Sequence, residues 1–295
     1  MATATATITV TDTATAKTSA AAAAVADAHL EASRRGFSDA HAYDLHRPSY
    51  PPAAVHSLLS HLWLVGHSQA RVVEVAAGTG KLTEQLAARD EGFEIVAVEP
   101  TESMRHALAA KRLRGVAVRD GAAEGMAMPG GWADGVIAAQ SFHWFANHTA
   151  LAEMRRVMKP GAKLGMIWNI EDYNQPADWK ATSPWEQTLK ERILKLEGSG
   201  PPRFRHDTWP KAFEEQKHFA APVQTEVQAW TVFLGKEALW ERIHTLSQVY
   251  TMAEEEKAAF RTLFDEAVVE GNAEFNDKGE IGVHGVTYMA WSVSL

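Results

Sequence analysis

Apolar positions recur along the chain in two rhythms, and the first clear one begins at Arg71. Val72-Val73-Glu74-Val75 is a short apolar run that stops at glycines, the pattern of a buried strand ending in a turn. Leu82 and Leu86 then recur at helical spacing, and Phe93 to Val98 forms a second β-rich run, which completes a strand-helix-strand unit. The alternation continues with a helix around Glu102 to Arg112, a strand near Val116 to Val118, a strand through Asp134 to Ala139 and a helix around Thr149 to Met158. Pro160-Gly161 punctuates, and Lys163 to Trp168 reads as a fifth strand.

Strands alternating with helices imply a parallel sheet covered on both faces, with ligands at the carboxyl ends of its strands. Beyond Trp168 the texture changes: Trp179, Trp185 and Trp209 stand among prolines and charges, so residues 173–220 read as an inserted helical segment and a candidate cover for the site. Regularity returns with a strand at Glu226 to Phe233, after which Leu239, Ile243, Leu246 and Tyr250 share a helical face. Thr251 and Glu254 have capping-box spacing ahead of a helix that carries Phe260, Leu263, Phe264 and Val268, and Gly285 to Trp291 reads as a terminal strand. The expected fold class is therefore α/β: a Rossmann-like, seven-stranded, mostly parallel sheet with helices on both faces and an inserted helical cover, in one domain over residues 36–295.

Composition narrows the chemistry. The 295 residues are 46% hydrophobic, enough to fill a substantial core without a staple, and the absence of cysteine excludes disulfides, thiolate metal sites and a cysteine nucleophile. A net charge of -8 argues against a polyanion as the main partner, and no apolar run approaches the ~20 residues of a membrane helix. The expectation is a soluble, cytoplasmic protein, monomer or homodimer, that binds neither nucleic acid nor membrane. Residues 1–35 alternate Thr with Ala before an alanine run, a low-complexity arm without large side chains to anchor it. A transit peptide fits poorly, since no arginine precedes Arg34 and Asp12, Asp27 and Glu31 are acidic.

Three nucleotide motifs compete for Glu74 to Thr83. A phosphate-cradling P-loop needs a glycine five residues before the Gly-Lys pair and a hydroxyl after it, but those positions are Val75 and Leu82. A dinucleotide fingerprint needs a glycine three residues after Gly80, where Thr83 stands. What remains is an acid at a strand end followed by small residues at alternate positions, Glu74, Ala76, Gly78 and Gly80, which lets backbone approach a bulky ligand without phosphates. The next strand ends in Glu99-Pro100, with Glu99 nineteen positions beyond Gly80; a carboxylate there can accept both ribose hydroxyls, because adjacent parallel strands end side by side.

These residues resemble the class I S-adenosylmethionine (AdoMet)-dependent methyltransferases, especially a small-molecule branch related to quinone-biosynthesis and trans-aconitate methyltransferases. The resemblance runs from about Tyr43 to the C-terminus and is strongest between Arg71 and Trp168. It implies that Glu74-Val-Ala76-Ala-Gly78-Thr79-Gly80 wraps the methionine part of AdoMet, that Glu99 and Pro100 flank the ribose, and that Met104 packs on adenine. Gly121-Ala122-Ala123-Glu124 resembles the family's adenine-edge loop, with Ala122 where an acid is common. Gln140-Ser-Phe-His143-Trp144 resembles the segment whose start lies near the sulfonium and whose aromatic end lines the acceptor. Tyr43 and Arg47 fall in a segment that approaches the cofactor from above.

On the same resemblance Tyr50, His143, Trp144 and Trp168 line the acceptor. His143 has two readings, a general base or a histidine held structurally beside Trp144, because methyl transfer often needs only alignment of donor and acceptor. Glu171-Asp172 leave the fifth strand either at the acceptor mouth or as a solvated loop. No compact histidine and carboxylate cluster has metal-ligand spacing, so no metal is expected. The expected activity is methyl transfer to an O, N or C nucleophile of a small organic molecule; the alternative is a cyclase, isomerase or non-catalytic AdoMet-binding subunit on the same fold.

Overall fold

A computed structural model describes residues 48–196 and 202–295. Strands β1 (Arg71–Val75) and β2 (Glu94–Val98) are each buried at every position after the first, as an apolar run without alternation requires of a central strand covered on both faces. β1 pairs in parallel with β2 and with β4 (Ala133–Ala139), β2 with β3 (Val116–Arg119), and β4 with β5 (Met158–Glu171). β7 (Ile281–Val293) enters antiparallel between β5 and β6 (Gln224–Leu234), giving the order β3-β2-β1-β4-β5-β7-β6. The order reverses between β1 and β4, so a crevice opens at the carboxyl ends of those two strands. All seven expected strands are present, in the expected Rossmann-like α/β arrangement.

The helices divide between the two faces. Leu58 and Leu59 of α1 (Pro52–His61) and Leu82 and Leu86 of α2 (Lys81–Ala87) pack on Val72, Ile95, Ile137 and Ile167. Leu108 of α3 (Glu102–Ala110) meets Ala77 and Ala97. On the other face, Leu151 and Met154 of α4 (His148–Val157) join Val73, Val136 and Leu164, together with Trp209 and Phe213 from the segment after β5. Asn147 caps α4 by accepting the Ala150 N–H at 2.9 Å, satisfying one otherwise orphaned donor.

A third core joins α5 (Pro184–Lys195), α6 (Lys236–His244), α7 (Ser247–Tyr250) and α8 (Glu254–Glu270). Trp185, Leu189, Ile193, Leu239, Ile243, Phe260 and Phe264 pack there against Ile281 and Val283 at the start of β7. Because β7 runs against β5, with Gly285 opposite Glu171, this core lies at the carboxyl end of the parallel strands. The segment after β5 contributes α5 to it and two 3-10 turns, Phe204–His206 and Trp209–Phe213, to the aromatic packing beside it.

Several boundaries differ from the sequence pattern: β5, β6 and β7 begin earlier than expected, at Met158, Gln224 and Ile281. β5 continues past Trp168 to Glu171, since β7 pairs with it from Lys163 to Glu171 and Asn169 finds partners for its buried amide. The capping box expected at Thr251 and Glu254 is displaced: the Met252 N–H bonds to Val249 O at 3.2 Å, which keeps Thr251 in the turn closing α7, and Ala253 caps α8 with its N–H on Glu256 Oε2 at 3.4 Å.

Candidate functional site

The loop after β1 turns through three left-handed positions: Ala76 at φ +52°, Gly78 at +58° and Gly80 at +88°. An alanine in this region costs roughly 1 kcal/mol, the penalty a glycine avoids. Ala76 and Gly78 are partly exposed at the crevice while Ala77, Thr79 and Gly80 are buried, so small residues face outward at alternate positions. A Cβ on Gly80 would force Leu108 Cδ1 to move, and the φ of +88° strains any other residue there whatever the space. At Gly78 the nearest group to an added Cβ is Met104 Sδ, 3.8 Å away. The loop and the apolar residue expected on adenine therefore meet.

Two buried carboxyl groups flank this loop. Glu74 is 1% exposed and Glu99 4% exposed. Thr83 Oγ1 donates to Glu74 Oε2 at 2.6 Å, and burial pushes the Glu74 carboxyl up to about 8, opposed by that bond and reinforced by the charge of Glu99. Glu99 Oε2 accepts the Gly78 N–H and its Oε1 the Thr101 N–H, both at 2.8 Å. Burial raises Glu99 too, while those two N–H groups and the charge of Arg105 act the other way. Pro100 lies partly exposed beside it. Thr83, which the sequence only counted against a dinucleotide loop, turns out to hold the loop's acid.

On the adenine-edge segment, Ala122 and Gly125 form an isolated bridge, with the Gly125 N–H on Ala122 O at 3.0 Å; Ala123 is buried. Glu124 Oε1 accepts from Asn147 Nδ2 at 2.9 Å and so is tied to the cap of α4. Gln140, at φ +57°, is engaged on both sides of its amide: Nε2 donates to Asn169 O and Oε1 accepts the Asn169 N–H, each at 2.8 Å. It fastens the end of β4 to β5.

His143 and Trp144 form a 3-10 turn with Phe142 directly after β4, and their rings lie 5.6 Å apart. Both are partly exposed. Trp168 Nε1 donates to His143 Nδ1 at 3.1 Å. Burial, with the nearby charges of Arg203, Arg205 and His206, pushes the His143 imidazole down to about 3. A histidine that is neutral and whose Nδ1 lone pair is already engaged is a weak candidate for a base. Trp168 is itself 0% exposed, enclosed by Phe204, Trp209 and Tyr288 at centroid distances of 5.0, 5.1 and 6.1 Å, so direct contact with an acceptor is closed to it. Tyr50 is likewise buried, in the core beneath α1, while its carbonyl accepts from Gln85 Nε2 at 2.8 Å. Tyr43 and Arg47 lie outside the described residues.

Neither acid at the end of β5 is solvated. Glu171 pairs with Arg242 of α6 at 2.8 Å, both nearly inaccessible, and Asp172 Oδ2 accepts the Thr182 N–H at 2.6 Å. No local spacing signals a partner seventy-one positions away. An open hollow between residues 172–182 and strands β6 and β7 lies apart from the glycine loop and shares only Trp179 with the aromatic packing over Trp168.

Known proteins similar to this chain are methyltransferases. Residues 73–166, from β1 to β5, match the family described as a methyltransferase domain. An uncharacterised methyltransferase of Mycobacterium tuberculosis is 33% identical over 210 residues, 71% of this chain and 75% of that protein. A methyltransferase-like protein of Schizosaccharomyces pombe is 30% identical over 229 residues, covering 78% and 84%. The demethylmenaquinone methyltransferase of Deinococcus radiodurans is 35% identical over 108 residues, 35% of this chain and 44% of that one. Among solved structures, a protein assigned as a type II methyltransferase from Anaeromyxobacter dehalogenans superposes with a TM-score of 0.57 at 21% identity, over 84% of this chain and 97% of that one.

Proposed function

Since the chain belongs to the class I AdoMet-dependent methyltransferases, we propose that its glycine loop and Glu99 seat AdoMet and that it methylates a small organic molecule held against His143 and Trp144. The observation that carries the cofactor assignment is the pair of buried carboxyl groups, Glu74 and Glu99, on either side of a loop with outward-facing Ala76 and Gly78. A phosphate ligand would find no compensating positive charge in these two acids, whereas a cationic ligand offsets the cost of ionising them where they are buried. AdoMet supplies a methyl carbon already activated by a positive sulfur.

The residues then divide the remaining work. Glu99, with Pro100 beside it, holds the ribose while keeping the loop folded through Gly78; Met104, with Ala122 and Ala123, bounds the adenine; Thr79 and Gly80 set the turn into α2. Glu124 serves the adenine side indirectly, by holding Asn147. Gln140 fixes the ends of β4 and β5, so that the acceptor and the methyl group meet at one place. The third core and the turns at residues 204–213 exclude water from the acceptor side.

A small acceptor is favoured by the acidic balance of the chain and by the relative named for a quinone precursor. Incubation with methyl-labelled AdoMet and a panel of small phenols, carboxylic acids, amines and quinols tests the reading. Label transferred to one acceptor class supports it. Turnover of an acceptor without label would favour a cyclase or isomerase.

A further inference from the structure

The indole N–H of Trp168 is a donor with no acceptor function, and it points at Nδ1 of His143 from 3.1 Å. A donor can be received only by a bare ring nitrogen, so the single imidazole proton must sit on Nε2. Trp168 cannot turn away: it is fully buried within the Phe204, Trp209 and Tyr288 packing and pairs through its backbone with Tyr288 of β7. Protonating His143 would set an Nδ1–H against the indole N–H, donor against donor. The charged groups that act on the ring come from the segment carrying the Phe204–His206 turn, namely Arg203, Arg205 and His206, and all disfavour a positive charge on it.

We propose that Trp168 is a positioning residue that locks His143 as the neutral Nε2–H tautomer, so that His143 serves the acceptor as a hydrogen-bond donor and not as its base. This rests on the reading that His143 faces the acceptor. As a donor His143 takes up no proton, so the acceptor must bring a lone pair that is already free. Trp168, too deep to touch an acceptor itself, acts through His143.

Long-range proton-nitrogen NMR of the full chain with 15N-labelled histidine reads the tautomer without cofactor or acceptor. The His143 signals are identified by their loss in His143→Gln. The expected pattern is a bare Nδ1 and a protonated Nε2, unchanged between about pH 5.5 and 9, and a shift toward mixed tautomers in Trp168→Phe. A protonated Nδ1, or a His143 that titrates within that range in the native chain, overturns the proposal even if Trp168→Phe fails to fold.

The second readout uses whichever acceptor takes the label. The rate profile of the native chain should show the same limbs as that of His143→Gln, and His143→Gln, which keeps a donor near the Nε2 position, should retain about tenfold more activity than His143→Ala. An acidic limb that vanishes in His143→Gln would make His143 a base and overturn the donor role. If the wider functional reading were wrong, label transfer would fail while the tautomer pattern stayed as described.

Discussion

The side chain of Glu99, at the end of β2, accepts the backbone N–H of Gly78, in the loop after β1, at 2.8 Å. The acid expected to hold the ribose is thus also a clamp on the loop expected to hold the methionine part. Two neighbouring strand ends are fastened through one carboxyl group, and any change there acts on both halves of the cofactor seat.

The loop's glycines should respond unequally. Gly80→Ala forces a Cβ into Leu108 at φ +88°, whereas Gly78→Ala meets its nearest atom at 3.8 Å and bears only the strain of its left-handed backbone. By urea denaturation Gly78→Ala should lose about 1 kcal/mol and Gly80→Ala distinctly more, with α2 displaced. Equal losses would show that the Leu108 contact does not fix the loop.

Ala76 offers the opposite test. Its φ of +52° favours glycine, so Ala76→Gly should be neutral or stabilising by up to about 1 kcal/mol, and Ala76→Val destabilising by more than that. A loss of stability in Ala76→Gly would mean that the Ala76 methyl makes contacts outweighing the backbone strain.

Much of this site was legible in the chain, and the reason is local. The strand runs, the small residues at alternate positions and the spacing from Gly80 to Glu99 are short-range patterns, and they placed β1, the loop and β2 in a mostly parallel α/β sheet. Interactions set by the third dimension were not legible. The family resemblance put Trp168 on the acceptor wall, yet Phe204, Trp209 and Tyr288 enclose it. Glu171 read equally well as a mouth residue or a solvated one, and its partner Arg242 comes from a helix far along the chain.

Glu74 gives a pH dependence with a definite sign. Its folded-state value is pushed up to about 8 from an ordinary 4.5, chiefly by burial, so the ligand-free fold holds its full contribution below about 4.5 and loses it as pH rises through 8. Glu74→Gln keeps a side-chain oxygen for Thr83 and removes the titration. Between pH 6 and 9 the urea midpoint should fall more for the native chain than for Glu74→Gln. Parallel curves would place the Glu74 titration outside that range.

The Glu171 and Arg242 pair should show the asymmetry of buried charges. Arg242→Leu strands a buried carboxylate and should cost about 3–5 kcal/mol, while the double variant with Glu171→Leu should recover a good part of it. Urea denaturation of the two proteins reads the difference. A double variant no more stable than Arg242→Leu would mean that packing, and not the stranded charge, sets the loss.

The cofactor seat itself is tested most directly by calorimetric titration of AdoMet into the native chain and into Glu99→Ala, with circular dichroism confirming that the variant stays folded. Loss of a charged acceptor from both the ribose and Gly78 should weaken AdoMet binding by about tenfold to a hundredfold. Unchanged affinity in a folded Glu99→Ala would contradict the assignment of Glu99 and of the loop it clamps.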